Sequence, residues 1–561
     1  MQGPSMTTRV CLLCVLLCGT AAGVPFSALR FASEYSTPSN WPGMRMALAA
    51  NPRAFDEVWM STGITFPKLS WHADRARQCA AVADDLRKLG IVPSIEIQAV
   101  LGHGDALLGA GDCSGQTWST WVGSDGMAAK RCACPSDPAL CAYFVRVAEL
   151  HAAWKPGSIW LDDDFTLKCH APVRPGTEPL RGCFCDRCIG IFSKREGRDW
   201  TRAELDRSLR TDVALMTRWL DAQAGGLARV AREIAAAFHR ISPGTVFGYQ
   251  FGGTGAPAIA HGLYEGSGHP VRLRPGSGAY WDTDAHEQIE KAYELQVVVA
   301  PYGRPEWVES ICPEIETCPR TFGSRTPQGL ILEAFENLSL GMDFISMFAA
   351  DARTDESADF YRTRLFPRLD VARPFLEGFR NANRGAKPCG FTVANDVPAK
   401  LVACRGVPIV PRGGRSLGAL PDVLSIPVRT AGSDWIGGHS RETRVMQCAS
   451  STALEAFYRR CDETAKGRLP VLFEEAVMAF VVPNVRKDGS LATVAFVNAS
   501  IDRQDPTPVR LRGVPASARS IFWHAPEEAP VRLTFAREGG DVRLTLPRIG
   551  AWQCGYLSFG D

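Results

Sequence analysis

The sequence predicts a (β/α)8 barrel followed by a small α/β domain and a C-terminal β-sandwich. Apolar segments of strand length alternate with helical stretches over roughly 350 residues, and such alternation is typical of a parallel sheet covered by helices. An open doubly wound sheet is the alternative, but no glycine-rich phosphate-binding turn follows the first strand. The eight predicted strands span residues 28–32, 56–60, 92–97, 158–161, 244–250, 271–274, 307–312 and 343–348.

The first 23 residues have the pattern of a secretory signal peptide. Arg9 supplies positive charge, residues 10–18 are apolar, and the small residues at 20–23 offer a cleavage site. The apolar run is too short to span a bilayer, and no later segment reaches the required length. We therefore expect residues 1–23 to be removed from a secreted or periplasmic protein that has no membrane partner.

The rest of the chain divides into three predicted domains. The barrel covers residues 24–385 and carries the predicted strands. Residues 386–475 hold short apolar strands and one helix, which indicates a small α/β domain. Residues 476–561 alternate apolar and polar side chains in short segments, which favours a β-sandwich.

The longest helical pattern lies between the fourth and fifth predicted strands. Apolar residues recur with helical periodicity from about residue 201 to residue 239. Thr201 and Glu204 have the spacing of a capping box, in which each side chain accepts a hydrogen bond from the other residue's backbone. We therefore expect a helix that begins at Thr201.

Polar and aromatic residues recur where the predicted strands end. Barrel enzymes place their active sites at this face, so we expect the side chains to line one pocket. Carboxylates there would bind sugar hydroxyls and aromatic rings would stack on sugar faces, although buried aromatic residues often only pack. The candidate substrate-binding residues are Glu34, Trp59, Glu96, Asp162, Tyr249, Gln250, Arg274, Tyr280, Trp281 and Glu314.

The fourth predicted strand ends in three consecutive carboxylates, Asp162, Asp163 and Asp164. Adjacent carboxylates repel one another, so a fold tolerates them mainly where a ligand, a proton or a cation compensates. A solvated acidic loop is the alternative interpretation, but residues 158–161 are too apolar for a surface loop. The triplet therefore predicts a functional site.

The seventh predicted strand is followed by a second pair of carboxylates, Glu314 and Glu316. Two carboxylates from different strands are the minimum machinery for cleaving a glycosidic bond: one protonates the leaving oxygen, and the other attacks the sugar or activates water. The fourth and seventh strands lie on opposite sides of a closed barrel, so the two groups can flank one bond. An exposed loop before Pro319 is the alternative interpretation of Glu314 and Glu316.

Two motifs resemble glycoside hydrolase family 42, the β-galactosidases. In that family an Asp-Asn-Glu-Tyr motif ends the fourth strand, and a Cys-aromatic-Cys-x-x-Cys segment follows it. The corresponding residues here are Trp160-Leu161-Asp162-Asp163-Asp164-Phe165 and Cys183-Phe184-Cys185-Asp186-Arg187-Cys188. The resemblance implies a clan A (β/α)8 barrel that hydrolyses glycosides with retention of configuration.

The resemblance also assigns roles to individual residues. Asp164 matches the acid/base Glu of the family, and Asp163 matches the Asn beside it. Glu316 matches the nucleophile, because Pro319 follows it at the family's offset. The segment 386–475 resembles a shortened form of the family's second domain, which supports trimerisation there, so homo-oligomerisation of this chain stays open.

The cysteine motif predicts either a metal site or disulfides. Cys183, Cys185 and Cys188 can present three thiolates to one Zn²⁺, which needs a fourth ligand. In an oxidising compartment, disulfides are the alternative. Candidates for the fourth ligand are Cys169, His170, Cys113, Cys132 and Cys134. Analogy with the family, in which a cysteine of the third loop binds a structural zinc, favours Cys113 or Cys132. Full thiolate coordination leaves no open position, so this metal would not be catalytic.

The sequence therefore predicts an exported retaining glycoside hydrolase with a carbohydrate substrate and no catalytic cofactor. Asp164 would be the acid/base, Glu316 the nucleophile, and Asp163 a substrate-binding or proton-sharing neighbour. Lys plus Arg total 62 against 60 for Asp plus Glu, with no basic run, so a nucleic-acid partner is not expected. The alternatives are a carbohydrate-binding barrel that has lost catalysis and a metal-dependent hydrolase that uses the Asp triplet.

Overall fold

The structure is a computed structural model. It describes residues 24–64, 66–103, 116–168, 180–252, 256–278, 280–282, 285–317, 325–350, 358–392, 406–410, 414–419, 459, 461–474, 477, 479–498 and 500–561. The predicted signal peptide and Cys113 lie outside these residues.

Nine parallel strands form the eight positions of a barrel, as the sequence predicts. Their order in the sheet is β10-β11-β1-β2-β3-β6-β7-β8-β9, and a separate hairpin, β4–β5, follows β3. The strands are β1 (Ser27–Phe31), β2 (Glu57–Ser61), β3 (Val92–Ile97), β4 (Thr120–Val122), β5 (Ala128–Ala133), β6 (Ser158–Leu161), β7 (Val246–Phe251), β8 (Val271–Pro275), β9 (Val308–Ile311), β10 (Glu314–Glu316) and β11 (Ile345–Ala350).

The seventh barrel position is divided between β9 and β10, which are separated by Cys312 and Pro313. Proline has no N–H to donate, so it interrupts the hydrogen-bond ladder. Strand β9 pairs with β8, whereas β10 pairs with β11. This one segment therefore closes the barrel, and Glu314 and Glu316 belong to a strand rather than to the loop after it.

Helices follow the strands and surround the barrel. The predicted helix 201–239 is two helices, α5 and α6: the Thr201 capping box is present, and α6 starts anew because the Asp212 side chain accepts the Leu215 N–H at 2.9 Å. The helices are α1 (Trp41–Ala50), α2 (Leu69–Lys88), α3 (Pro138–Ala152), α4 (Asp186–Glu196), α5 (Arg202–Leu209), α6 (Val213–Ile241), α7 (Pro257–Ser267), α8 (Ala285–Val299), α9 (Pro327–Ser339), α10 (Ala358–Phe360) and α11 (Phe366–Ala382).

The barrel interior is layered, because every second residue of a strand points inward. Its middle layer is apolar: Trp59 and Trp160 stack at a centroid distance of 4.0 Å, and both are fully buried. Gly248 makes room for this stack, since a Cβ there would lie 2.2 Å from the Trp160 ring. Ala28, Cys312 and Phe344 complete the layer.

Below the tryptophans lies a polar group that we call the floor cluster: Glu57, Ser94, Ser158, Arg272 and Glu309. Glu57 Oε1 accepts hydrogen bonds from both serine hydroxyls, at 2.5 Å for Ser94, and Glu57 Oε2 pairs with Arg272 Nη1 at 3.3 Å. Arg272 Nε pairs with Glu309 at 2.5 Å. Both oxygens of the Glu57 carboxylate are thus satisfied.

Two sheets follow the barrel, in agreement with the predicted sandwich; they are antiparallel except where β12 pairs in parallel with β13 and β14. The first has the order β13-β12-β16-β17-β23-β19-β20, with β14 beside β12, and the second has the order β15-β18-β22-β21. Their strands are β12 (Lys387–Thr392), β13 (Ile409–Val410), β14 (Arg415–Ala419), β15 (Val471–Phe473), β16 (Ala479–Val485), β17 (Leu491–Asn498), β18 (Thr507–Leu511), β19 (Ser520–His524), β20 (Val531–Leu533), β21 (Phe535–Glu538), β22 (Asp541–Leu546) and β23 (Gln553–Gly560).

The sandwich packs against the barrel through α9 and α11. Phe375 and Phe379 contact the Tyr556 ring at 5.4 and 5.1 Å, and Gln328 Nε2 donates to the Trp552 carbonyl at 3.0 Å. Strand β12 pairs with β16, so one sheet extends from the predicted second domain into the third. The boundaries at residues 385 and 475 stay predictions. Among the helices of the described chain, none is long and apolar enough to cross a membrane.

Candidate active site

Arg30 organises a charged layer above the tryptophans. Its Nε donates to Glu96 at 2.8 Å, its Nη1 to Glu316 at 2.8 Å, and its Nη2 to Asp162 at 3.3 Å. The side chain is 7% exposed, and its guanidinium lies 4.5 Å from the Phe348 ring centroid. Four barrel strands or strand ends thus meet at one cation. The sequence prediction missed Arg30, although a lone charge inside the apolar segment 28–32 was a signal.

Arg274 lies in the same layer, as predicted. Its Nη1 donates to Glu314, and its Nη2 lies 3.6 Å from Asp162 Oδ1. The Tyr280 hydroxyl donates to the other Glu314 oxygen at 2.9 Å. We call the layer formed by Arg30, Glu96, Asp162, Arg274, Glu314 and Glu316 the upper cluster.

The three residues of the Asp triplet have different environments. Asp162 points inward to Arg30 and is 1% exposed. Asp164 is also 1% exposed, and its Oδ2 accepts hydrogen bonds from the backbone of residues 100–102 at 2.5–2.8 Å. Only Asp163 is partly exposed. Of the three carboxylates, Asp163 is therefore the most accessible to a substrate, which favours it over Asp164 for proton transfer.

Burial and charge separate the pKa of Asp162 from those of Asp163 and Asp164. Burial raises the pKa of Asp164 to about 6, although His103 and the backbone hydrogen bonds act to lower it. Burial acts to raise the pKa of Asp162, but Arg30, His103 and Arg274 together hold it well below the usual range. Burial, with the negative charges of Asp162 and Glu314, raises the pKa of Asp163 to about 7. A carboxyl group with that pKa can both donate and accept a proton near neutral pH.

Glu314 and Glu316 both face the barrel interior, because Ile315 between them packs in the outer core. Burial opposes ionisation of Glu314, but Arg274, Lys291 and two hydrogen bonds hold its pKa below the usual value. Lys291 was not predicted: its ammonium lies 4.7 Å from the Tyr280 ring centroid. Glu316 is partly exposed and has Arg30 as its partner, so it combines an accessible carboxylate with a fixed position.

The remaining predicted substrate-binding residues are only partly brought together. Gln250 joins the upper cluster, since its Nε2 donates to Glu96 at 2.6 Å. Glu34 is partly exposed in a 3₁₀ turn, and Trp281 is 36% exposed at the rim. The predicted sugar contacts of Trp59 and Tyr249 are not supported. Trp59 is fully buried in the middle layer, and Tyr249 is fully buried with its hydroxyl bonded to the Phe165 carbonyl at 2.7 Å.

Four cysteine thiols converge beside the barrel. The Sγ atoms of Cys134, Cys183, Cys185 and Cys188 all lie within 4.8 Å of one another. Cys134 lies 3.5 Å from both Cys185 and Cys188, far longer than the ~2 Å of a disulfide and close to the roughly 3.8 Å between sulfurs around a tetrahedral zinc. The residues therefore fit a closed, structural zinc site.

The fourth thiol differs from the sequence expectation. Cys134 takes this place, directly after β5. The Cys132 thiol instead donates to the Gly102 carbonyl at 3.4 Å. Cys132 lies within β5, whereas Cys134 lies just after the strand ends at Ala133. The other expected ligand, Cys113, lies outside the described residues.

Three solved structures resemble this chain over nearly its whole length. The β-galactosidase from Bacillus circulans sp. alkalophilus has a TM-score of 0.56 at 10% identity, with 96% of this chain and 99% of that chain covered. The cold-adapted β-galactosidase from Rahnella sp. R3 has a TM-score of 0.55 at 12% identity, with 96% of this chain and 98% of that chain covered. The α-L-fucosidase isoenzyme 2 from Paenibacillus thiaminolyticus has a TM-score of 0.54 at 10% identity, with 96% of this chain and 100% of that chain covered.

Sequence comparison finds no matching family model and no matching curated protein. At these identities the structural likeness establishes the fold. It confirms the expected resemblance to the barrel-plus-sandwich architecture of clan A glycoside hydrolases.

Proposed function

We propose that this chain is a retaining glycoside hydrolase in which Glu316 is the nucleophile and Asp163 is the acid/base. One observation carries the proposal: two partly exposed carboxylates stand on different barrel strands, one bound to Arg30 and the other with its pKa raised to about 7. A retaining glycosidase needs this division between an ionised nucleophile and a protonated acid.

The proposed reaction has two steps. In the first, the Glu316 carboxylate attacks the anomeric carbon, the bond to the leaving oxygen breaks, and Asp163 gives that oxygen its proton. In the second, Asp163 removes a proton from water as the water oxygen attacks the same carbon and releases Glu316. Arg30 is a positioning residue in both steps, because it fixes the orientation of Glu316.

The pairing of Asp162 supports this mechanism over a metal-dependent one. Asp162 already pairs with Arg30 and lies 3.6 Å from Arg274, so the innermost carboxylate of the triplet has cationic protein partners. A divalent cation at the triplet would have to compete with both guanidinium groups. The similarity to β-galactosidases and a fucosidase makes carbohydrate the favoured substrate class.

A panel of aryl glycosides tests the proposal. We expect the full chain to release the aryl group from at least one sugar, and we expect Glu316→Gln and Asp163→Asn to lose this turnover. Wild-type protein that binds an oligosaccharide in calorimetry but cleaves no member of the panel would favour the carbohydrate-binding alternative. Turnover that chelators abolish would favour the metal-dependent one.

We also propose that the four thiolates hold a structural zinc and that the protein is exported. The convergence of four buried thiols within 4.8 Å of one another supports the first, and the N-terminal sequence pattern supports the second. Metal analysis of the purified protein should give about one zinc per chain, and Cys134→Ser should lose it. Mass spectrometry of the mature protein should show removal of residues 1–23. Light scattering would settle whether the chain forms a homo-oligomer.

A further inference from the structure

The loop after β3, residues 98–103, is folded around one carboxylate oxygen. Asp164 Oδ2 accepts hydrogen bonds from three successive backbone N–H groups, those of Val100 at 2.8 Å, Leu101 at 2.7 Å and Gly102 at 2.5 Å. Successive amides that converge in this way form a concave anion site. We call residues 98–103 the amide loop.

Strand β5 holds the amide loop from the other side. The Ala133 N–H donates to the Leu101 carbonyl at 2.7 Å, and the Cys132 thiol donates to the Gly102 carbonyl at 3.4 Å. Gly102 has a φ of +104°, and a Cβ there would lie 1.9 Å from the Arg131 carbonyl oxygen. Only glycine fits that position, so the chain passes between Asp164 and β5 in one conformation.

The amide loop ends at His103, which faces the Asp triplet. His103 Nε2 lies 2.6 Å from the Gln98 carbonyl and 3.4 Å from Asp162 Oδ2, and its ring nitrogen is within 4.8 Å of a carboxylate oxygen of Asp163. Burial acts to lower the pKa of His103, but the bond to Asp162 and the charges of Asp164, Asp162 and Asp163 raise it to about 10. An imidazolium therefore stands beside the proposed acid/base.

We propose that Asp164 is a positioning residue: by folding the amide loop, its carboxylate holds His103 against Asp162 and Asp163. The inference rests on the proposed role of Asp163 as the acid/base. It gives the second and third carboxylates of the triplet different tasks, proton transfer for Asp163 and backbone folding for Asp164.

The short side chain of Asp164 suits this task. Glutamate at the same place would carry its carboxyl about 1.5 Å further, a displacement that is large compared with hydrogen-bond tolerance. The Asp164 carboxylate instead stays where three amides reach it, and it is 1% exposed. A carboxylate so enclosed contributes to the reaction through the loop that it folds.

The experiment compares Asp163→Asn, Asp164→Ala and Asp164→Asn, with Asp206→Asn on the surface of α5 as the matched control. Two properties are measured. The first is turnover of aryl glycosides with leaving groups of graded pKa, with and without azide, which replaces water without needing a base. The second is titration of His103 by NMR of histidine-labelled protein, with the signal assigned from His103→Gln.

We expect Asp163→Asn to lose most activity on the poorest leaving groups and to recover turnover in azide. Asp164→Ala should lose about 10- to 100-fold on every leaving group, the scale of a displaced catalytic group, without recovery in azide. The pKa of His103 should fall in both Asp164 variants, because both lose the Asp164 charge. It should fall further in Asp164→Ala, because that variant also loses the acceptor that folds the amide loop. Asp164→Asn keeps an acceptor oxygen and should lose less, and it replaces Asp164→Ala if that variant does not fold.

Two results for Asp164→Ala would identify Asp164 as the acid and overturn the inference: azide restores turnover, and the loss of turnover grows with the pKa of the leaving group. Equal pKa values of His103 in Asp164→Ala and Asp164→Asn, which both lack the Asp164 charge, would overturn it as well. If the wild-type chain cleaves no glycoside, the proposed function fails, and this comparison of the two variants still decides whether Asp164 positions the amide loop.

Discussion

The floor cluster and the upper cluster are both buried groups of arginine and carboxylate inside one barrel, yet they differ in how well they are paired. In the floor cluster both oxygens of Glu57 have partners, and Arg272 lies between Glu57 and Glu309. In the upper cluster, buried polar atoms lack hydrogen-bond partners within the described chain: Asp162 Oδ1, Gln250 Oε1, and Arg274 Nε and Nη2.

The charge balance differs in the same way. Among the described residues around the upper cluster, the carboxylates of Glu96, Asp162, Asp163, Asp164, Glu314 and Glu316 outnumber the basic groups of Arg30, Arg274, Lys291 and His103. Buried polar groups normally have hydrogen-bond partners. The surplus of buried carboxylates is therefore expected to lower the stability of the fold. A matched cluster is therefore expected to stabilise the barrel, and the unmatched one to act on a ligand.

The largest expected effect concerns the nucleophile. Glu316→Gln should lower kcat by about 10⁴-fold or more, because the variant lacks the carboxylate that forms the covalent glycosyl-enzyme intermediate. Thermal unfolding should change little, because Arg30 keeps Glu96 and Asp162 as carboxylate partners. Steady-state kinetics with the best aryl glycoside measures this, and Glu309→Gln in the floor cluster is the control. A loss below tenfold would show that the upper cluster is not catalytic.

The next effect concerns the acid/base. Asp163→Asn should lower kcat/KM by about 10²- to 10⁴-fold. In the wild type, kcat/KM should fall roughly tenfold per pH unit as the pH rises above about 7, because the acid must be protonated and its pKa is raised to that value. The variant should lose this basic limb. A basic limb that persists in Asp163→Asn would assign the titrating group elsewhere.

The floor cluster should respond in stability instead. Glu57→Gln breaks a buried pair with Arg272 and should lower the free energy of unfolding by about 3–5 kcal/mol. Turnover per folded molecule should be nearly unchanged, because the tryptophan layer separates the two clusters. Denaturant titration with parallel kinetics measures both. A large loss of turnover in correctly folded Glu57→Gln would show that the floor cluster also contributes to activity.

The smallest expected effect concerns the layer between the clusters. Gly248→Ala would place a Cβ 2.2 Å from Trp160 and should cost about 1–3 kcal/mol of stability through overpacking. Gly244→Ala is the control, since no described atom lies within 4 Å of its Cβ position. Equal unfolding midpoints for the two variants would show that the tryptophan stack is loosely packed.

Much of the fold could be predicted because the barrel strands are short, apolar and regularly spaced. The strand residues 158–161 and 92–97 have the predicted bounds. The division of the seventh strand was not predicted, because the effect of Pro313 depends on which neighbour each half meets. The helix break before Asp212 was also missed, since helical periodicity continues across it.

The site could be predicted only to the level of residue types. The resemblance assigned the acid/base role to Asp164, but alternation of side chains is lost once the strand ends, so the sequence does not show which of Asp163 and Asp164 is the more exposed. Arg30 was missed because a charge in an apolar strand gives no information about its partners across the barrel. Cys134 was one of several candidates for the fourth thiol, and the family analogy favoured Cys113 or Cys132 instead, because the sequence does not show which cysteine of this segment lies beside Cys185 and Cys188.

Closure of the barrel by β9 and β10 also sets when the proposed nucleophile acquires its partner. Arg30 and Glu316 are 286 residues apart, and they meet only after β10 has paired with β11 and β11 with β1. Contacts of such long sequence separation form late, because loop-closure entropy must first be overcome. A growing or partly refolded chain would thus hold Glu316 without its guanidinium partner, and regain of activity would report the final joining of the sheet.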